Sequence, residues 1–144
     1  MPQLKKRRLR ADPAICDAAS VGDMRTVRRL LAEGVDPDTS DEDGVTALMA
    51  SAFAAQPGVV RALLQAGADP DAQDASGLTA LMNAVIANGE MDQRLSHPIF
   101  VEIVVELLAA GADPALADAD GCTAADHARE GNLADLARLL EGAD

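Results

Sequence analysis

Aromatic side chains are nearly missing from this chain: among 144 residues there are two phenylalanines, Phe53 and Phe100, and no tyrosine or tryptophan. Any core must therefore be aliphatic, built from leucine, valine and abundant alanine. Only two cysteines and two histidines are present; two cysteines are too few for a disulfide framework, and two histidines with two distant cysteines do not make a four-ligand zinc site. No apolar run approaches the ~20 residues of a membrane span. The basic start, KKRRLR, is followed by ADPAICDAAS, which lacks the apolar core of a secretory signal. A cytoplasmic protein without membrane contact is the expectation.

What the chain does have is acid. The formal charge is −12 and it is unevenly spread, with +5 over residues 1–29 and −17 over residues 30–144. So negative a body repels nucleic acid, and none is expected as a ligand. The densest acidic stretch, DPDTSDEDG from Asp36 to Gly44, invites a calcium reading. An EF-hand loop starting at Asp36 needs glycine at its sixth position and glutamate at its twelfth. Asp41 and Ala47 stand there instead, so the loop can neither turn sharply nor close a cage.

The acidic stretch returns. GVDPDTSDEDGVTALM (34–49), GADPDAQDASGLTALM (67–82) and GADPALADADGCTAAD (111–126) share one frame, first 33 and then 44 residues apart. A Leu-Leu pair recurs with them, at Leu30–Leu31, Leu63–Leu64, Leu107–Leu108 and Leu139–Leu140. The segments between the connectors read as paired short helices. In one, TALMASAFAA breaks at Gln56-Pro57-Gly58 before VVRALLQAG; proline opens the second helix and Gly67 closes it. Val59, Val60, Leu63 and Leu64, like Ile103, Val104, Leu107 and Leu108, make two adjacent apolar stripes, enough to touch a partner helix and the next repeat together. At the two ends Thr26 and Asp135 replace the first member, as a wettable outer face requires.

On these residues the chain resembles the ankyrin-repeat family. The family's T-P-L-H-x-A pattern appears as Thr46-Ala-Leu-Met-Ala-Ser and Thr79-Ala-Leu-Met-Asn-Ala, and more loosely as Thr123-Ala-Ala-Asp-His-Ala. Met49 and Met82 stand where the family usually has histidine, so any network built on that histidine is absent. The resemblance covers roughly residues 11–144 and implies an all-α, helix-turn-helix solenoid of about four repeats, with hairpin-like connectors projecting as fingers beside a concave groove. The expected divisions are a basic lead-in over 1–10 and one repeat domain over 11–144. Its repeats would fall near 11–43, 44–76, 77–120 and 121–144, the eleven extra residues of the third placed near 89–99. Ser96 and Pro98 look like a helix start after this insertion. It is expected to be either tolerated length or a contact loop, and replacing it with a short turn is expected to leave the fold intact.

The same family likeness implies a rigid, non-catalytic groove that binds another protein without a cofactor or metal, as a monomer. Contacts are then expected at finger tips and on the groove side of each first helix: Glu42, Asp43, Val45, Ala50, Ser76, Leu78, Asn83 and Asp120. Cys16 and Cys122 would lie three stacking steps apart, roughly 25–30 Å at ~8–10 Å per layer, too far for a disulfide. The thiol, carboxylate and imidazole in CTAADH (122–127) could serve catalysis, but no Gly-rich turn or oxyanion-hole motif accompanies them. Asp126 and His127 are expected on the surface. KKRRLR (5–10) reads as a nuclear or nucleic-acid arm or, more plainly, as a basic cover on the open end of the stack.

Eleven acids fall in the fingers: Asp36, Asp38, Asp41, Glu42, Asp43, Asp69, Asp71, Asp74, Asp113, Asp118 and Asp120. Asp36, Asp69 and Asp113, just after each helix-ending glycine, are expected to bond backbone N–H groups. The others suit either solvated turns or a ridge for a basic partner. That ridge supports a further alternative, an accessory or immunity-type protein that neutralises a basic toxin or enzyme.

Overall fold

The computed structural model describes residues 9–91 and 97–142. They form α1 (Ala14–Ser20), α2 (Met24–Ala32), α3 (Ala47–Phe53), α4 (Pro57–Gln65), α5 (Ala80–Met91), α6 (Pro98–Ala109), α7 (Ala124–Glu130) and α8 (Ala134–Glu141). Each odd-numbered helix packs on the even-numbered helix that follows it. The odd helices also stack on one another in chain order, and α2, α4 and α6 form a second layer behind them. Among the described residues there are helices and two isolated bridges, Arg10 with Val35 and Ser40 with Thr46, so the architecture is an all-α repeat solenoid.

Local chemistry starts and stops each helix. Thr46, Thr79 and Thr123 accept the N–H of the residue three positions on, Met49, Met82 and Asp126, each at 3.3 Å. This satisfies one of the donors a helix start leaves open. The first helix lacks the threonine; Asp12 accepts the Ala14 N–H at 3.0 Å instead. At the end of α4, the Gly67 N–H reaches the Leu64 carbonyl and the Ala68 N–H reaches Leu63, with Gly67 at φ +90°. That paired closure needs a left-handed residue, which glycine supplies without a Cβ clash.

The inner layer is close because it is small. Ala47, Ala52, Ala80, Ala84, Ala124 and Ala128 are all essentially buried, so neighbouring inner helices approach with little between them. The outer layer supplies the bulk: Val59, Val60 and Leu63 on α4, and Ile103, Val104 and Leu107 on α6, are buried. The second leucine of each pair (Leu31, Leu64, Leu108, Leu139) is only partly covered.

The eleven extra residues differ from a plain loop. Five lengthen α5, which runs to Met91 although Ile86 is the counterpart of Phe53, where α3 ends. Three extend α6 backwards to Pro98. Asn88 and Phe100 in these extensions are buried, and the Asn88 Oδ1 accepts the His97 N–H at 2.7 Å. His97, not Ser96, is the cap residue of α6; Ser96 lies outside the described residues, as do residues 1–8 of the basic lead-in.

Two outcomes follow for stability. Leu63→Ala and Leu107→Ala should each cost about 2–5 kcal/mol in urea unfolding, as a single global transition because so few repeats couple tightly. Replacing 89–99 with a short turn should lower the midpoint measurably, since it removes the His97 N–H that donates to the buried Asn88 carbonyl.

Candidate functional site

The fingers are held by their own acids. In each of them one aspartate accepts two backbone N–H groups across the turn. Asp41 takes those of Asp43 and Val45 (2.9 and 3.0 Å), Asp74 those of Ser76 and Leu78 (2.8 and 2.9 Å), and Asp118 those of Asp120 and Cys122 (2.9 and 3.0 Å). Asp36, Asp69 and Asp113 each accept the N–H two residues on, the backbone role expected of them. Asp38 and Asp71 reach across repeats, accepting the N–H of Asp69 and of Asp113 at 2.7 Å. Eight of the eleven carboxylates thus have structural work, five of them with none foreseen individually from sequence.

Neighbouring fingers are joined directly. The Ala75 N–H donates to the Asp43 carbonyl at 2.9 Å and the Ala119 N–H to the Ser76 carbonyl at 3.0 Å. The Gln73 amide bridges the Gly77 and Ala117 carbonyls. This approach leaves no room for a side chain at the tip. A Cβ on Gly77 would sit 2.8 Å from the Ala119 nitrogen, and one on Gly44 3.2 Å from that of Ala75.

Glu42, Asp43 and Asp120 are the finger acids without such duties. They are exposed, and among the described residues their carboxylates accept no hydrogen bond. Asp43, Ser76 and Asp120 occupy the same position in successive repeats, as do Val45 and Leu78, and Ala50 and Asn83. Asn83 is partly occupied within its own helix, donating to the Thr79 carbonyl at 2.8 Å.

Val45, Ala50 and Asn83 come together. With Ser20, Met49, Phe53 and Ala54 they line a mostly apolar hollow of about 620 Å³ across α1, α3 and α5. Leu78 is half-buried beside the finger and is not among the residues lining this hollow, and the acidic tips lie outside it too. Phe53, absent from the contacts expected from sequence, is 43% exposed and lines both this hollow and a second of about 350 Å³. Its signal was a lone aromatic in the alanine run ASAFAA at the end of a first helix.

The cluster in CTAADH has a mechanical rather than a reactive environment. His127 Nε2 lies 2.7 Å from Asp118 Oδ2, and the histidine side chain is only 16% exposed. The expectation of a surface histidine is therefore corrected, because the ring tucks in to brace the last finger. The Cys122 N–H, the His127 ring and the Asp120 N–H hold the Asp118 carboxyl below the usual carboxylate range. Burial, then Asp118, pushes the Cys122 thiol upward, which disfavours the nucleophilic thiolate. Asp126 forms a reciprocal cap with Thr123. Among the described residues no group of three or more His, Cys, Asp or Glu could hold a metal ion, and no helix is long and apolar enough to cross a membrane.

Cys16, on α1, is buried and donates to the Thr39 carbonyl at 3.3 Å. Burial, reinforced by Asp41 and Asp17, raises its pKa from 9.0 to about 11. The folded state holds this proton more tightly than the unfolded chain does. Stability should therefore be intact below pH 9.0 and fall as pH rises towards about 11. Cys16→Ala should flatten that alkaline decline in urea midpoints measured across the window.

A family model described as ankyrin repeats (3 copies) matches residues 15–98 and again 53–144, from within the first helix to the last residue. No curated protein matches the chain. The threonine caps, the paired layers and the joined fingers agree with that match over nearly the whole sequence, and the chain belongs to the ankyrin-repeat family.

Proposed function

We propose that this chain is a non-catalytic binding module that holds another protein in the groove of α1, α3 and α5 and at its finger tips. Ankyrin repeats generally mediate protein–protein interaction. The observation that carries the reading here is the apolar hollow with Phe53 at its edge, on a surface whose only idle finger acids are Glu42, Asp43 and Asp120. An exposed aromatic beside a hollow is the kind of anchor point around which interfaces concentrate their energy. Val45, Ala50 and Asn83 contact the partner from the hollow, and Ser76 and Leu78 from the finger beside it. The three free acids supply long-range attraction.

Those acids favour a basic partner, which keeps neutralisation of a basic enzyme or toxin as a second reading. Eight finger carboxylates are already engaged in the turns or in joining the fingers; the remaining three repel one another and contribute no packing, so binding is the role left to them.

A partner isolated from the source cells provides the test. Combining Glu42→Gln, Asp43→Asn and Asp120→Asn should slow association by on the order of tenfold at low salt while leaving the thermal midpoint nearly unchanged. Association of the unaltered protein should slow as salt shortens the Debye length towards ~8 Å. Stopped-flow rates that ignore both salt and the triple substitution would remove the acids from the site, while Phe53→Ala tests the hollow separately.

A further inference from the structure

Two of the three fingers carry the same pair at the tip, Asp43–Gly44 and Asp120–Gly121, with Ser76–Gly77 between them. An aspartate before glycine can react with its own backbone, because glycine has no side chain to shield the nitrogen that follows. Both aspartates are exposed, and among the described residues their carboxylates accept no hydrogen bond. Both glycine N–H groups are held within the turn, by the Asp41 carbonyl at 3.0 Å and the Asp118 carbonyl at 2.9 Å. The carboxylates of Asp41 and Asp118 also take the N–H of Asp43 and of Asp120. Inside each finger the two tips are therefore equivalent.

What differs is the neighbour. The Asp43 carbonyl accepts the Ala75 N–H of the next finger at 2.9 Å, whereas the Asp120 carbonyl has no donor among the described residues. Gly44 is half-buried, and a carbon added to it would stand 3.2 Å from the Ala75 nitrogen. Gly121 is exposed, and a carbon added there would meet nothing within 4 Å. The last tip can thus open by breaking one hydrogen bond fewer, and it has room for a longer main chain. The His127 contact does not cancel this, since it grips the Asp118 carboxylate and not the carbonyl that holds the Gly121 N–H.

We infer that Asp120 is a site of aspartate isomerisation in the folded protein, and that the joint between the first two fingers protects Asp43 from the same reaction. The Gly121 nitrogen attacks Cγ of Asp120, and its proton leaves with the carboxyl OH as water. A five-membered succinimide closes. Water then cleaves the bond between the ring nitrogen and the former main-chain carbonyl of Asp120. The chain now runs through Cγ, one methylene longer, and the α-carboxylate is free. One water is lost and one regained, and nothing is oxidised or reduced. Asp120 reacts in this way whether or not the fingers meet a partner; where they do, the aged tip presents its charge from a displaced position.

The test is incubation of the whole protein at physiological temperature in water enriched in heavy oxygen, followed by peptide mapping in a mass spectrometer. Each passage through the ring leaves one heavy oxygen, and a protease that cuts before aspartate fails at isoaspartate. Label should accumulate at Asp120 about two- to tenfold faster than at Asp43, the factor that one backbone hydrogen bond supports. In concentrated urea the two rates should converge. Hydrogen exchange should find the Gly121 amide opening faster than that of Gly44. Ser76→Asp installs the pair in a finger whose carbonyl at that position is bonded by the Ala119 N–H, and its tip should stay as slow as Asp43. Equal or reversed rates at Asp43 and Asp120 in the folded protein would overturn the assignment. So would an unlabelled Asp120 over the time in which the unfolded chain reacts, exchange at Gly121 no faster than at Gly44, or a Ser76→Asp tip as fast as Asp120.

Discussion

None of the described helices is long enough to be more than marginally stable alone. The inner helices α1, α3 and α7 have seven residues each, about half of what an isolated helix needs to be even marginally stable in water. Their persistence depends on burial between repeats, and that burial depends on alanine. Small side chains let inner helices come close, and the outer leucines and valines then close the space behind. Alanine contributes little apolar area per residue, so the arrangement tolerates few losses: truncating one outer leucine removes a large part of what holds two repeats together.

The same closeness decides what the acids are for. Carboxylates crowded along one edge repel each other, and a chain this negative would be expected to open its fingers. Instead, most of them accept backbone N–H groups, where a charged acceptor makes a stronger bond than a neutral one. Asp38 and Asp71 carry this between repeats, so part of the stacking energy resides in the connectors as well as in the helices. Among the described finger acids only Glu42, Asp43 and Asp120 keep their charge unengaged.

The repeat frame was legible in the sequence because it is periodic: threonine caps, leucine pairs and glycine stops recur at fixed offsets, and each has a local cause. Leu63 and Leu107 could be assigned to the interior on spacing alone. The duties of Asp38 and Asp71 could not, since their partners lie 31 and 42 residues away and exist only once the repeats stack. The lengthening of α5 and α6 was hidden for a related reason. GEMDQRLSHPI contains glycine, proline and polar residues that read as a loop, and the buried contacts of Asn88 and Phe100 override that local preference. Phe53 was visible as a rarity but not as a site residue, because exposure at a helix end depends on what the next repeat leaves uncovered.

Gly44 and Gly77 give the fingers a further property. With no side chain between them, and with backbone hydrogen bonds across each gap, the tips behave as one stiff comb whose teeth cannot separate independently. A stiff receptor loses little conformational freedom on association, so less of the contact energy is spent on ordering. It also gives up adaptability. A ligand of such a surface would have to match fixed spacing, or distort itself to do so, and discrimination between similar ligands would then rest on their own deformability.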